Sequence, residues 1–122
     1  EPCAYSMTFN VTGDKLNGIL NQRSQDILAA NNWNVVQYSV LLHLLSKVCG
    51  FKPGKLVHVI ADAHIYDRHI PMIEDLISRK SYDAPKFFID AGVDDFYKFS
   101  TDDIKVENYK AGPQITDIPI AI

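Results

Sequence analysis

From Val35 to Cys49 nearly every position of a helical wheel is apolar. Val35, Val36, Tyr38, Val40, Leu41, Leu42, Leu44, Leu45 and Val48 leave only Ser39, His43, Ser46 and Lys47 as a polar stripe. A helix with so little polar surface is expected to be buried on several sides. Asn31-Asn32-Trp33-Asn34 precedes it as a polar break, with Asn34 the expected N-cap. Gly50 is a natural C-cap, and Pro53-Gly54 marks the following turn.

A second segment, Lys55 to Tyr66, alternates like a strand whose two faces differ in kind. Val57, Val59, Ala61, Ala63 and Ile65 read as an ordinary core face. His58, Asp62, His64 and Tyr66 share the other face, interrupted by Ile60, because every second strand residue points the same way. The row spans about 27 Å at about 3.3 Å per residue and suits hydrogen bonding to a polar ligand. Metal binding by His58, Asp62 and His64 is the weaker alternative, since His58 lies over ~13 Å along the strand from Asp62. For Asp62 a structural polar network competes with both.

The remaining segments complete one α+β domain, residues 1–122, with a mainly antiparallel or mixed sheet. Ala4 to Val11 and Lys15 to Arg23 form a hairpin around Thr12-Gly13-Asp14. An amphipathic helix is expected from Asp67 to Arg79, with Pro71 in its first turn and Ile70, Ile73, Leu76 and Ile77 as its apolar stripe. Phe87-Phe88-Ile89 and Ile104 to Tyr109 are short strands, and Gly92 to Phe99 is a turn or short helical segment.

At 122 residues, 47% apolar and 22% charged, the chain has the composition of a globular domain with one core. A net charge of −3 argues against a nucleic-acid-binding module. No apolar run reaches membrane-spanning length, so no membrane partner is expected. Two cysteines, Cys3 and Cys49, are too few for a disulfide framework, and a cytoplasmic, reducing setting is the default.

Several side chains have chemical potential. Cys3 reads as a buried small hydrophobe or as a nucleophile with a nearby cation. Arg23 and Ser24 pair a planar fork of donors with a hydroxyl, which suits phosphate; the plainer reading is a surface Arg23–Asp26 pair. Asn34, if not only a cap, offers donor and acceptor together to an amide-like edge.

Taken in order, these segments resemble thymidylate synthase over nearly the whole chain. Pro2-Cys3 resembles the Pro-Cys of the family's active-site loop, and Gln22-Arg23-Ser24-Gln25-Asp26 its Gln-Arg-Ser-x-Asp run. Asn34 with Tyr38 resembles the start of the central helix, and Val48-Cys49-Gly50 with Pro53-Gly54 its end. Asp62-Ala63-His64-Ile65-Tyr66 followed by His69 resembles the Asp-x-His-x-Tyr strand. Pro119-Ile120-Ala121-Ile122 resembles the closing C-terminus. Phe96-Tyr97-Lys98-Phe99 and Val106-Glu107-Asn108-Tyr109 look like a divergent bacterial or phage branch.

The resemblance implies a thymidylate synthase-like mixed sheet and reductive methylation of deoxyuridine monophosphate to thymidine monophosphate. Methylenetetrahydrofolate would be the co-substrate, with no metal. By resemblance Cys3 is the catalytic nucleophile. Arg23 and Ser24 would bind phosphate, Asn34 the pyrimidine edge, and His64 and Tyr66 the deoxyribose 3′-hydroxyl. Asp26 would face the folate, and Ile122 would close over the site. Ala30 stands where the family carries a folate-approaching glycine and adds a Cβ; Ala4 stands where His is frequent. His58 is expected to be a bystander.

The resemblance covers the family's C-terminal part. The expected partners are therefore the missing N-terminal portion, a second copy in a homodimer, and the nucleotide; the chain alone is expected to be inactive. The alternatives are a truncated, non-catalytic nucleotide-binding or dimerisation domain, and a pyrimidine nucleotide hydroxymethylase. Relatives acting on cytosine carry Asp where Asn34 stands, which favours uracil.

Overall fold

A computed structural model describes residues 2–90 and 92–119. The chain divides into two compact units, Glu1–Ile65 and Tyr66–Ile122.

In the first unit β1 (Ala4–Thr12) and β2 (Lys15–Gln22) form an antiparallel hairpin. Gly13 turns it at φ 62°, a left-handed conformation that glycine adopts without a Cβ clash. The short strand β3 (Gln25–Asp26) and helix α1 (Asn31–Val48) follow. The chain then returns as β4 (Lys52–Ile60), parallel to β2, and β5 (Ala63–His64), parallel to β3. The sheet order β1-β2-β4 is thus mixed, as expected for the α+β class.

The helix lies on the Leu16–Gly18–Leu20 face of β2. A Cβ built on Gly18 would sit 3.6 Å from Leu42 Cδ1, and Leu16, Leu20 and Leu42 form the buried apolar core. Ser46, read from sequence as part of the polar stripe, is instead fully buried and donates to the Leu42 carbonyl at 2.7 Å. Burial of α1 is confined to this side, and Trp33 remains 78% exposed. At its end Gly50 takes φ 72° and donates to Lys47 O, while Phe51 N–H reaches Ser46 O at 2.8 Å. The carbonyls of the last turn are satisfied as the glycine implied.

The two-faced strand departs from expectation in two ways. It is interrupted by a bend at Ala61-Asp62, so His58 and His64 belong to different strands. Its faces are also reversed. Leu20 pairs with His58, while Ile19 pairs with Val57 and Asn21 with Val59. This register turns His58 toward the helix side and leaves Val57 and Val59 exposed. Alternation reveals that two faces exist; which one is covered depends on the neighbouring strand.

In the second unit a 3-10 turn, Asp67–His69, leads into α2 (Ile70–Ser78), with Pro71 in its first turn. The apolar residues Ile70, Leu76 and Ile77 of α2 are exposed. Strands β6 (Lys86–Ile89) and β7 (Ile104–Glu107) pair antiparallel. The tail after β7 is tied down twice. Arg79 Nη1 donates to Pro113 O at 2.6 Å, and the buried His69 donates through Nε2 to Pro119 O at 2.8 Å. Among the described residues, no helix is long and apolar enough to cross a membrane.

Candidate active site

Because β2 and β4 run parallel, their carboxyl ends lie on the same edge of the sheet. Arg23-Ser24 follows β2 there, and Ala61-Asp62 follows β4. The hairpin brings the start of β1 to this edge as well. Arg23 N–H donates to Cys3 O at 2.9 Å, and Arg23 Nε to Pro2 O at 3.3 Å. Cys3 is an exposed free thiol at the mouth of this edge. The reading of Cys3 as a buried small hydrophobe is therefore not met.

Asp62 links the two strand ends. Its Oδ2 lies 3.4 Å from Ser24 Oγ, which donates to it, and 3.4 Å from His64 Nδ1. Backbone bonds hold the same segments in register: Ala61 N–H to Gln22 O, Gln25 N–H to Asp62 O, and Ile27 N–H to His64 O. Ser24, Asp62 and His64 thus converge as a polar cluster at this edge, with the Asp62 side chain exposed rather than inside the domain.

Asp26 ends β3, Ala30 lies in the β3–α1 connection and Asn34 in the first turn of α1. Asp26 Oδ1 accepts the N–H groups of Leu28 and Ala29, each at 3.0 Å, which fixes its carboxylate. The helix starts a turn earlier than expected, so Ala30, not Asn34, occupies the N-cap position. Asn34 sits inside the first turn, where its backbone N–H is satisfied by Ala30 O at 3.1 Å. Its side chain is thereby released from capping. Asn34 Oδ1 accepts from Gln22 Nε2 at 3.2 Å.

Gln22 belongs to a buried amide network that the sequence reading missed. It is 2% exposed and neighbouring Gln25 is 1% exposed. Gln22 Nε2 donates to Ser24 O at 2.8 Å and also meets Gln25 Oε1, while Gln22 Oε1 lies 2.9 Å from His58 Nε2. His58 is therefore a bonded member of this edge rather than a bystander. A signal was present: Leu16, Gly18, Leu20 and Gln22 share one strand face, so Gln22 continues the buried row with a group that must be hydrogen-bonded.

Tyr66 belongs to the second unit, where its ring meets His69 edge-on at 5.5 Å. Ile122 lies outside the described residues, as do Ile120 and Ala121 of the expected closing segment. Among the described residues, no group of three His, Cys, Asp or Glu side chains is arranged to hold a metal ion. On α1, burial pushes the His43 imidazole below its ordinary pKa of 6.5.

The fold and this edge define an α+β protein with a cysteine beside an arginine-serine pair at the ends of parallel strands. The family model for thymidylate synthase matches residues 1–122. The chain is 44% identical over 111 residues to the thymidylate synthase of Clostridium beijerinckii, a match spanning 89% of this chain and 42% of that relative. It is 37% identical over 115 residues to that of Bacillus mojavensis, spanning 94% of this chain and 41% of the relative. Its structure matches thermostable thymidylate synthase A from Bacillus subtilis with a TM-score of 0.91 at 37% identity, over 93% of this chain and 41% of that one. The chain belongs to the thymidylate synthase family. It spans about two fifths of the length of these relatives.

Proposed function

We propose that this chain supplies the nucleophile and much of the nucleotide-binding edge of a cytoplasmic thymidylate synthase, active with the N-terminal portion of the family fold and as a homodimer. Residues 1–122 would then form part of one domain. The observation that carries this reading is the pairing of Arg23 with the Pro2-Cys3 segment. It ties Arg23 and Cys3 together on adjacent strand ends, which supports a guanidinium fork for phosphate beside a reactive thiol.

Arg23 and Ser24 bind the phosphate of deoxyuridine monophosphate, which the chain's negative net charge leaves to local donors. Asn34 meets the pyrimidine edge. His64 contacts the deoxyribose 3′-hydroxyl, the role the family motif also gives Tyr66. Cys3 Sγ adds to C6 of the ring, and the electrons of the C5–C6 double bond pass to C5 and the O4 carbonyl. C5 thereby becomes the carbon nucleophile.

Methylenetetrahydrofolate, when bound, supplies the one-carbon unit and the reducing hydride. The Asp26 carboxylate, held by two backbone N–H groups, suits the N–H donors of a pterin edge. Ala30 adds a methyl group beside it, and Ile122 would belong to the closing segment. The open side of α1 around Trp33 fits coverage by the portion of the fold that this chain does not span.

Mass spectrometry with the 5-fluoro analogue of the nucleotide tests the assignment. With methylenetetrahydrofolate and the N-terminal portion of the fold supplied, a covalent adduct is expected at Cys3. An adduct elsewhere, or none, overturns the role of Cys3.

A further inference from the structure

Backbone geometry fixes the direction of the buried amides. The Ser24 carbonyl can only accept, so the Gln22 group 2.8 Å from it is the NH2 group. Gln22 Oε1 must then face His58 Nε2, at 2.9 Å. A carbonyl oxygen only accepts, so His58 carries its proton on Nε2. The same NH2 group meets Asn34 at 3.2 Å and turns the Asn34 oxygen inward. Its two hydrogens serve three acceptors: Ser24 O, Gln25 Oε1 and Asn34 Oδ1. With Gln22 2% exposed, water does not readily replace a lost partner.

We infer that His58, acting through Gln22, is a positioning residue that holds the Asn34 amide with its oxygen inward and its NH2 group toward the ligand. The inference rests on the nucleotide-binding reading and deepens it. The NH2 group then donates to the carbonyl at position 4 of uracil, and the second lone pair of the oxygen is left for the N–H at position 3. Cytosine reverses both groups, with an amino donor at position 4 and an acceptor at position 3, and is disfavoured. Selectivity between the two pyrimidines is thus set partly by a histidine one strand away that touches no ligand. If Gln22 turned over, its oxygen would face Ser24 O and Asn34 would reverse to donate inward. The wrong edge would then be presented.

The test uses the full chain, with His58→Phe and His58→Gln variants. Glutamine places an amide N–H close to where imidazole Nε2 stands, whereas phenylalanine keeps the ring and removes the donor. Imidazole 15N shifts of the wild type should report a proton on Nε2, and a proton on Nδ1 alone overturns the relay without any ligand. The Asn34 side-chain amide signals should move in His58→Phe and return in His58→Gln; signals unchanged by phenylalanine also overturn it.

Calorimetry with deoxyuridine and deoxycytidine monophosphates then reads selectivity. The preference for uracil should fall about tenfold in His58→Phe, the effect of one buried hydrogen bond, and recover in His58→Gln. Equal loss of both nucleotides would make His58 merely structural and overturn the inference. If the wild type binds neither nucleotide, the nucleotide-binding reading fails, and the tautomer and amide signals still decide the relay.

Discussion

The backbone N–H of Arg23 donates to the carbonyl of Cys3 at 2.9 Å. One strand-end hydrogen bond thus sets the spacing between the segment of the proposed nucleophile and the residue proposed to hold a substrate's phosphate. Arg23→Ala should leave this backbone bond intact and remove only the guanidinium. Affinity for deoxyuridine monophosphate should fall about 10- to 100-fold, the range of a charge-assisted hydrogen bond. Affinity for the nucleoside without phosphate should not change. Calorimetry with both ligands checks this, and a parallel loss for the nucleoside would place Arg23 outside the phosphate site.

Gly54 and Gly18 should respond differently to a methyl group. A Cβ at Gly54 would lie 2.7 Å from the Leu16 carbonyl oxygen and would also collide with Asn17 Oδ1, which accepts the Lys55 N–H at 2.9 Å. At Gly18 the close contact, 2.6 Å, is to Met7 Cε, the movable tip of a flexible side chain. Gly54→Ala should therefore destabilise by about 1–3 kcal/mol, as overpacking does. Gly18→Ala should cost less, partly offset by the smaller entropy of the unfolded chain. Urea melts of the two variants rank them; equal effects would contradict the contact geometry.

His43 should make stability depend on pH in a defined direction. Burial lowers its pKa in the folded chain below the ordinary 6.5. The unfolded chain therefore takes up a proton first as pH falls through 6.5, and the His43 contribution to stability declines from there down to the lowered folded pKa. Above 6.5 both states are neutral at this site and the contribution is constant. His43→Gln should flatten the fall in Tm between neutral and mildly acidic buffer. An unchanged profile would assign the acid sensitivity to other groups.

The exposed side of the sheet carries Ile19, Val57 and Val59, with Ser6, Thr8, Asn17 and Asn21 around them. If copies associate through this face, Val57→Lys should shift sedimentation from dimer to monomer. Monomer stability should stay within about 0.5 kcal/mol, because Val57 is half exposed on the side of the sheet opposite Leu20. A dimer that survives the substitution would exclude this face as the interface.

Local signals were legible in the sequence and pairing signals were not. Gly13 and Gly50 marked the hairpin turn and the end of α1 because a left-handed backbone is a single-residue demand. Cys3, Arg23, Ser24, Asp26, Asn34 and His64 were legible as candidates through motif order. The covered face of β4 was hidden because it follows from the register Leu20–His58, a property of two strands together. The start of α1 was misread because Asn34 looks like a cap in isolation, whereas the backbone places Ala30 there. The Gln22–His58 bond joins residues 36 positions apart, and no local pattern announces it.

The parallel pairing of β2 with β4 also bears on how the chain reaches its native state. A slip of one residue would move the Asp62 end relative to the Arg23 end by about 3.3 Å and turn His58 to the opposite side of the sheet. Such a sheet could retain many backbone hydrogen bonds yet would offer no matched site. On the proposed reading, a nucleotide touching Arg23 and His64 together would recognise only the in-register form and stabilise it by mass action. Substrate present during refolding would therefore act as a proofreader, drawing mispaired chains toward the one alignment it can bind.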